Sequence, residues 1–243
     1  MTDIVVTARR REERLQDVPV AVTAIGAGAF EKLFASTFAD VDKVAPNVKI
    51  DTLLSSVINT PAMTIRGIGT VDGDSTVDPA VPVVVDGFTY ARLAGSMLDL
   101  FDVERIEVLR GPQGALFGMN TIAGAINIVT QKPTGEFGGK AQVRIGNFGR
   151  QDVRASLDFP IVPGLLAGKI SVLSSKSDGA WFNLATNQSI GGDNTFAIRP
   201  KLLFTPDEAL EMVLTAEIIR TRAGIVPFSN FSTPGQSVYQ LVT

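Results

Sequence analysis

Neither cysteine nor histidine occurs anywhere in the 243 residues. Without a thiol there is no disulfide, no cysteine nucleophile and no zinc–sulfur site. Without imidazole, serine–histidine–aspartate catalysis and histidine metal ligation are excluded. The common hydrolase and metalloenzyme constellations cannot be assembled, so no enzymatic activity and no resident cofactor or metal is expected. A net charge of −3 leaves no concentrated basic face for nucleic acid. No stretch approaches the roughly 18 consecutive apolar residues of a membrane-crossing helix, but an amphipathic β-barrel needs no such run. Met1, Thr2 and Asp3 lead directly into a β-branched stretch with no signal peptide ahead. An exported protein would therefore begin here at a mature or processed end.

What is present is globular: 45% apolar and 19% charged residues. Ile4, Val5, Val6, Thr7 and Ala8 form a short β-competent stretch followed by a charge run at 9–14. Two readings fit it: an edge strand beside a solvated charged segment, or a tether that a partner captures by strand addition. Strand-like runs recur at 19–25, 48–50, 63–66, 81–85, 105–109 and 125–130. Residues 28–33 and 37–45 have helical patterns. The second is N-capped by Thr37, carries Phe38, Val41 and Val44 at helical spacing, and is stopped by Pro46. Short strands mixed with short helices over about 130 residues indicate an α+β domain. The most informative segment is 104–133, ERIEVLRGPQGALFGMNTIAGAINIVTQKP. Its two strands flank Gly111, Pro112, Gly114, Gly118 and Gly124; glycine permits positive φ and close backbone approach, and proline fixes a bend.

After Gly135 the period becomes two. Ala141, Val143 and Ile145 oppose Lys140, Gln142 and Arg144; Val153, Ala155, Leu157 and Phe159 oppose Asp152, Arg154, Ser156 and Asp158. The alternation continues through 169–172 and around Pro200. Residues 208–220 fit a strand face through Leu210, Met212, Leu214, Ala216 and Ile218, and a helix face through Ala209, Met212, Val213 and Ala216. Strand is the assignment, because the neighbours are strands and the length suits a tilted membrane crossing. Connections at 160–164 and 205–208 are tight, while 177–194 and the region after 222 are longer and polar. Short periplasmic turns and long external loops give that pattern, with 146–151 as the exception.

Several features have sharp and bland readings. Asp72, Asp74 and Asp78 beside Gly73 could ligate a hard cation, but the spacing and the terminal glutamate of a calcium loop are missing, so a solvated loop is the plainer reading. Asp102, Glu104 and Glu107 could suggest acid–base carboxylates; ion pairing with Arg105 and Arg110 explains them more simply. The glycines at 67, 69, 111 and 114 lack phosphate-loop spacing, and Pro112 removes an amide such a loop would use. Trp181 and Phe182 suit a membrane-interface anchor.

Five ordered segments, 19–24 (PVAVTA), 65–69 (IRGIG), 83–87 (VVVDG), 106–114 (IEVLRGPQG) and 124–129 (GAINIV), resemble the plug domain of TonB-dependent outer-membrane receptors. The resemblance implies an α+β plug domain, a small mixed sheet with short helices, followed by antiparallel transmembrane β-barrel strands of an incomplete barrel. It divides the chain into a TonB box and tether at 1–16, a plug at 17–134 and about five barrel strands at 135–243. It makes Ile4, Val5, Val6, Thr7 and Ala8 the TonB box. Arg66, Gly67, Asp86, Gly87, Arg110, Gly111, Pro112, Gly114, Gly118, Asn120 and Gly124 become plug-motif positions. Loops of this part of a plug face the external vestibule, so Asp72, Asp74, Ser75, Thr76 and Asp78 become ligand-contact candidates. Met119 stands where the family commonly has a basic residue. In the family the plug occludes a 22-stranded barrel, which needs several hundred more residues than these.

The implied function is outer-membrane import of an external ligand, a ferric siderophore or similar chelate. Energy arrives through TonB and its inner-membrane complex, with outer-membrane lipid as the surrounding partner and plug and TonB box on the periplasmic side of a Gram-negative cell. A small, polar, glycine-rich plug core would suit mechanical remodelling. The alternative is a soluble periplasmic plug-like binding or adaptor module whose later strands fold as a small sandwich.

Overall fold

A computed structural model describes residues 5–7, 13–32, 38–51, 61–70, 78–90, 101–224 and 239–241, and the chain divides into two compact units, Met1–Gln131 and Lys132–Thr243. The strands of the first are β1 (Val5–Val6), β2 (Glu13–Arg14), β3 (Val22–Gly26), β4 (Val48–Asp51), β5 (Ala62–Ile65), β6 (Ile68–Thr70), β7 (Val83–Val85), β8 (Phe88–Tyr90), β9 (Val103–Arg110) and β10 (Gly124–Thr130). Its helices are α1 (Ala27–Lys32), α2 (Gly114–Phe117) and single 3-10 stretches at Leu15–Asp17 and Phe38–Lys43.

Strands β3, β9, β10, β7 and β8 form one mixed sheet in that order, with β10 antiparallel to β9 and parallel to β7. Both sheet faces are covered. On one, Val83, Ile106, Val108, Ile126 and Ile128 join Phe30, Phe38, Val41, Met63 and Ile65 in the main core. On the other, Val84, Leu109 and Ala125 meet Val6, Val18 and Phe117. A strand buried on two sides has no wet face, which is why β10 reads as an apolar run and not as an alternation. Each fully buried side chain of this kind contributes about 1.5–3 kcal/mol.

The expected small, polar, glycine-rich core is therefore corrected. Aliphatic and phenylalanine side chains fill it, and positive-φ glycines such as Gly67 and Gly87 sit in turns. Arg66 and Gly67 (φ 55° and 78°) and Asp86 and Gly87 (φ 48° and 84°) form two-residue connections with positive φ at both positions, the geometry that matches hairpin twist. They create β6 and β8, strands too short to show a period in the sequence. The helix expected over 37–45 is a 3-10 stretch, Phe38–Lys43. Its buried residues, Phe38 and Val41, are three apart, the spacing that a three-per-turn helix stacks on one side.

The second unit contains β11 (Gly138–Ile145), β12 (Gln151–Val162), β13 (Leu166–Ser177), β14 (Trp181–Asn183), β15 (Gln188–Ile190), β16 (Asp193–Asp207), β17 (Leu210–Thr215), β18 (Ile218–Ala223) and β19 (Tyr239–Leu241). Strands β11, β12, β13 and β16 pair consecutively and antiparallel, and β17 and β18 follow one another along β16. Residues 208–220 are thus strand, interrupted where the Ala216 amide reaches the Pro200 carbonyl at 3.1 Å. The ladder with β16 overrides their helical propensity. The 177–194 connection is not an open loop. Strands β14 and β15 form a hairpin there, its turn closed by Asn183 Oδ1 accepting the Ala185 and Thr186 amides at 2.9 and 3.1 Å, and β19 pairs with β14.

Burial in this sheet is inverted relative to a water-soluble one. Register places Val153, Leu157, Ile170, Phe196 and Leu202 on one face, and all five are exposed. The opposite face carries Asp152, Asp158, Lys169, Ser171, Arg199 and Lys201, all buried. Those charges pair: Lys169 with Asp158 at 3.7 Å, Arg150 with Asp152 at 3.0 Å, and Arg199 Nε with Glu217 at 2.8 Å. Among the described residues no helix is long and apolar enough to cross a membrane.

Candidate functional site

Of the five tether candidates, Val5, Val6 and Thr7 are described; Ile4 and Ala8 lie outside the described residues. Consecutive β-branched residues favour extended backbone. Val5 and Val6 pair with Arg14 and Glu13, so the edge-strand geometry is realised. Val5 is exposed, whereas Val6 is wholly buried against Val18, Val84, Leu109, Phe117 and Ala125.

Thr7 then meets a buried polar cluster. Its amide and its hydroxyl donate to Glu107 Oε1 at 2.7 and 3.1 Å. Arg105 Nε donates to the same oxygen at 2.8 Å, and Asn127 Nδ2 donates to Glu107 Oε2 at 3.0 Å. Arg105 Nη2 and Asn127 Nδ2 also reach Thr7 Oγ1 at 3.2 and 3.3 Å. Glu107 is 0% exposed, a position where an unpartnered carboxylate would be strongly destabilising. These donors make it tolerable, and two of them come from Thr7. Net charge-assisted hydrogen bonds contribute roughly 1.5–3 kcal/mol, and burying one valine roughly 1.5 kcal/mol. Docking of residues 5–7 is therefore worth a few kcal/mol, the scale at which a ligand-driven coupling of about 1–3 kcal/mol shifts a two-state equilibrium.

Ion pairing explains Glu104, Arg105 and Glu107 as expected: Arg105 pairs with both carboxylates. Arg110 behaves differently. It donates Nε and Nη2 to the Pro46 carbonyl at 3.2 and 3.0 Å, tying the end of β9 to the entry of β4. Burial, and secondarily the neighbouring Arg66 guanidinium, lower its pKa from the ordinary value. Asp86 is both turn residue and clamp. Its carboxylate accepts the Thr130 amide at 2.8 Å and the Thr130 hydroxyl at 2.5 Å, pinning the β7–β8 turn to the end of β10.

The 111–124 segment is a closed loop. The Gly111 amide reaches the Ala123 carbonyl at 2.9 Å and the Gln113 amide the Thr121 carbonyl at 3.1 Å, bracketing Pro112. Gly111, Gly118 and Asn120 have φ of 89°, 85° and 68°. Gly114 is different: a Cβ there would meet only Thr121 Oγ1 at 3.9 Å, so alanine fits. Asp72, Asp74, Ser75 and Thr76 lie outside the described residues. Asp78 is described, and its carbonyl accepts the Thr70 hydroxyl at 3.4 Å. The Ala80 amide donates to Thr70 Oγ1 at 3.0 Å, and the Ala123 amide to the Ala80 carbonyl at 3.2 Å, joining this loop base to the start of β10. Among the described residues no acidic cluster is placed to hold a metal.

Asn127 was not anticipated from the sequence. The signal was available: Glu107 and Asn127 are polar interruptions in apolar strands, and they are direct partners in the β9–β10 register.

Residues 14–125 match the family described as "TonB-dependent Receptor Plug Domain". The pesticin receptor of Yersinia pestis is 30% identical over 223 residues, which is 90% of this chain and 32% of that protein. A vitamin B12 transporter of Vibrio vulnificus is 28% identical over 157 residues, 63% of this chain and 24% of that protein. The chain thus spans about a quarter to a third of the length of these curated relatives. In structure, the ferric yersiniabactin uptake receptor of Yersinia pestis superposes with a TM-score of 0.74 at 29% identity, covering 83% of this chain and 32% of the other. The ferripyoverdine receptor of Pseudomonas aeruginosa shares the fold, with a TM-score of 0.73 at 17% identity over 89% of this chain and 27% of the other.

Proposed function

We propose that this chain, which belongs to the TonB-dependent receptors, a family of transport receptors rather than enzymes, forms the plug and the beginning of the barrel wall of an outer-membrane importer. In this reading residues 1–16 are the TonB box and tether, 17–134 the plug and 135–243 the first barrel strands. Ligand binds from outside, and TonB, driven by its inner-membrane complex, captures residues 4–8 by strand addition on the periplasmic side. Loop residues 72–78 contribute to ligand contact. The observation that carries the reading is the inverted sheet: exposed Val153, Leu157, Ile170, Phe196 and Leu202 on one face, and buried paired charges on the other. An apolar band turned outward is stable against acyl chains and unstable in water. The alternative soluble module with a sandwich is not favoured, because these strands form one sheet with a bare apolar face.

Ile170→Lys tests the lipid assignment. A lysine on the lipid face near the bilayer centre is expected to cost roughly 2–4 kcal/mol of folding into vesicles, whereas on a water-exposed sheet it would be near neutral. Urea titration of the complete receptor refolded into phosphatidylcholine vesicles reads the difference.

A ferric siderophore or similar chelate is the proposed cargo, supported by relatives named as a pesticin receptor and a ferric yersiniabactin uptake receptor. A strain lacking the gene should lose energised accumulation of at least one radiolabelled ferric chelate and regain it on complementation. Unaltered uptake of every ferric chelate, together with lost uptake of cobalamin or a sugar, would move the assignment to that cargo.

A further inference from the structure

We propose that Glu107, supported by Arg105 and Asn127, gates the tether by holding a backbone donor that a capturing strand would take. The inference rests on the TonB-capture reading above and adds its regulation. Strand addition satisfies the amides and carbonyls of the captured segment along one edge. In the docked state β2 already pairs with Val5 and Val6, and the Thr7 amide is committed to Glu107 Oε1 at 2.7 Å. Val6, which in an added strand would project into a partner, is wholly buried. Docking and capture therefore exclude each other, through the β2 pairing, the burial of Val6 and the commitment of the Thr7 amide.

The cluster is built for this and not only for the sheet. Sheet strands β9 and β10 would tolerate apolar residues at 107 and 127, as they do at Leu109 and Ala125 beside them. A carboxylate and an amide are useful there because the opposing surface is a backbone donor and a hydroxyl. Glu107 Oε1 accepts from three donors, the Thr7 amide, the Thr7 hydroxyl and Arg105 Nε. Arg105 keeps Glu104 as a second partner, and Asn127 Nδ2 keeps Glu107 Oε2. When the tether leaves, the carboxylate retains Arg105 and Asn127 and gains water, so it can exist in both states. Glu107 is a positioning residue of a two-state element.

The absence of native cysteine makes the test clean. In the complete receptor in isolated outer membranes, V6C carries a thiol that is reachable only when the tether undocks. Its reaction with a water-soluble maleimide is expected to be slow. Adding Glu107→Ala should raise the rate about 10-fold or more, and adding Thr7→Ala about 3- to 10-fold, as charge-assisted hydrogen bonds are lost. Glu104→Ala, which touches Arg105 but not Thr7, should leave the rate unchanged. If Glu107→Ala prevents assembly, Thr7→Pro decides, because it deletes the amide that Glu107 holds and Thr7 lies outside the five-stranded sheet. Equal slow rates in both variants, or a fast rate with V6C alone, would overturn the gate. Cross-linking of the V6C thiol to the periplasmic part of TonB is a separate arm. Accelerated labelling without any cross-link would sink TonB capture and leave the gate standing, and a full cross-link yield with no gain in the Glu107→Ala background would sink the gate alone.

Discussion

Val5→Pro is expected to leave ligand binding at the cell surface intact while lowering energised uptake by roughly 100-fold. Proline deletes an amide and fixes φ, so a strand cannot be completed through that position. Losing one strand bond and leaving its partner unsatisfied is worth roughly 3 kcal/mol, about two orders of magnitude in capture. Val5 is exposed and contributes nothing to either apolar core, so the substitution leaves the plug sheet whole. Comparing labelled ligand bound to de-energised cells with ligand accumulated by energised cells measures the two quantities. Accumulation at the native rate would mean that residues 4–8 are not the coupling element. The contrast with Glu107→Ala is informative, because one change removes the partner's handle and the other frees it. Opposite effects on cross-linking from Val5 and Glu107, far apart in sequence, would be hard to obtain from a general loss of stability.

The second large effect is expected at Gly124, where alanine should destabilise the plug by on the order of 3 kcal/mol or more. Two costs add there. The backbone has φ of 151°, which L side chains rarely adopt, and a Cβ would lie 2.1 Å from the Leu109 carbonyl oxygen and 2.9 Å from Ile65 Cδ1. Strain of roughly 1–3 kcal/mol joins a comparable cost of overpacking. The Leu109 oxygen is backbone and cannot turn aside, so β9 and β10 must separate at their first pair. Hydrogen exchange of the β10 amides, followed by mass spectrometry, should show lost protection from Gly124 to Thr130. Gly114→Ala is the matched control: no positive φ, no contact under 3.9 Å, and an expected effect near zero. A Gly124→Ala plug with native protection would mean that the β9–β10 approach is looser than its geometry implies.

Much of the architecture was legible because its causes are local. Alternation from residue 140 onward is enforced residue by residue, since a one-residue slip would turn every lysine and aspartate outward. Asp86 and Gly87 announced a turn because few residues accept positive φ, whereas Arg66, read as the last residue of a strand over 63–66, lies in the turn with Gly67. Residues 105–109 and 125–130 were recognisable as strands from β-branched content. Where local signals were balanced, as at 208–220, the outcome followed the neighbouring ladder. Where an element spans only three residues, as in β6, β8, β14 and β15, it is too short for alternation to stand out. The stretch Phe38–Lys43 is 3-10 where a helix over 37–45 was expected, because a spacing of three between Phe38 and Val41 fits both forms.

The tether's role divides along the same line. From residue types came a β-competent stretch, Ile4 to Ala8, and Glu107 as a member of an ion-pairing run; Asn127 was not singled out. That these meet could not be inferred from order along the chain, because the partners lie about a hundred positions apart and are joined only through strand register. Composition and periodicity indicated an α+β domain followed by strands with one apolar and one polar face; the plug and the barrel wall came from the resemblance. Folding added the burial of Val6 and the commitment of the Thr7 amide to a carboxylate. Short-range preferences act through dihedral angles and side-chain spacing, which the order of residues encodes directly. A buried charge is positioned by long-range packing, and its partners exist only once the sheet has closed around it.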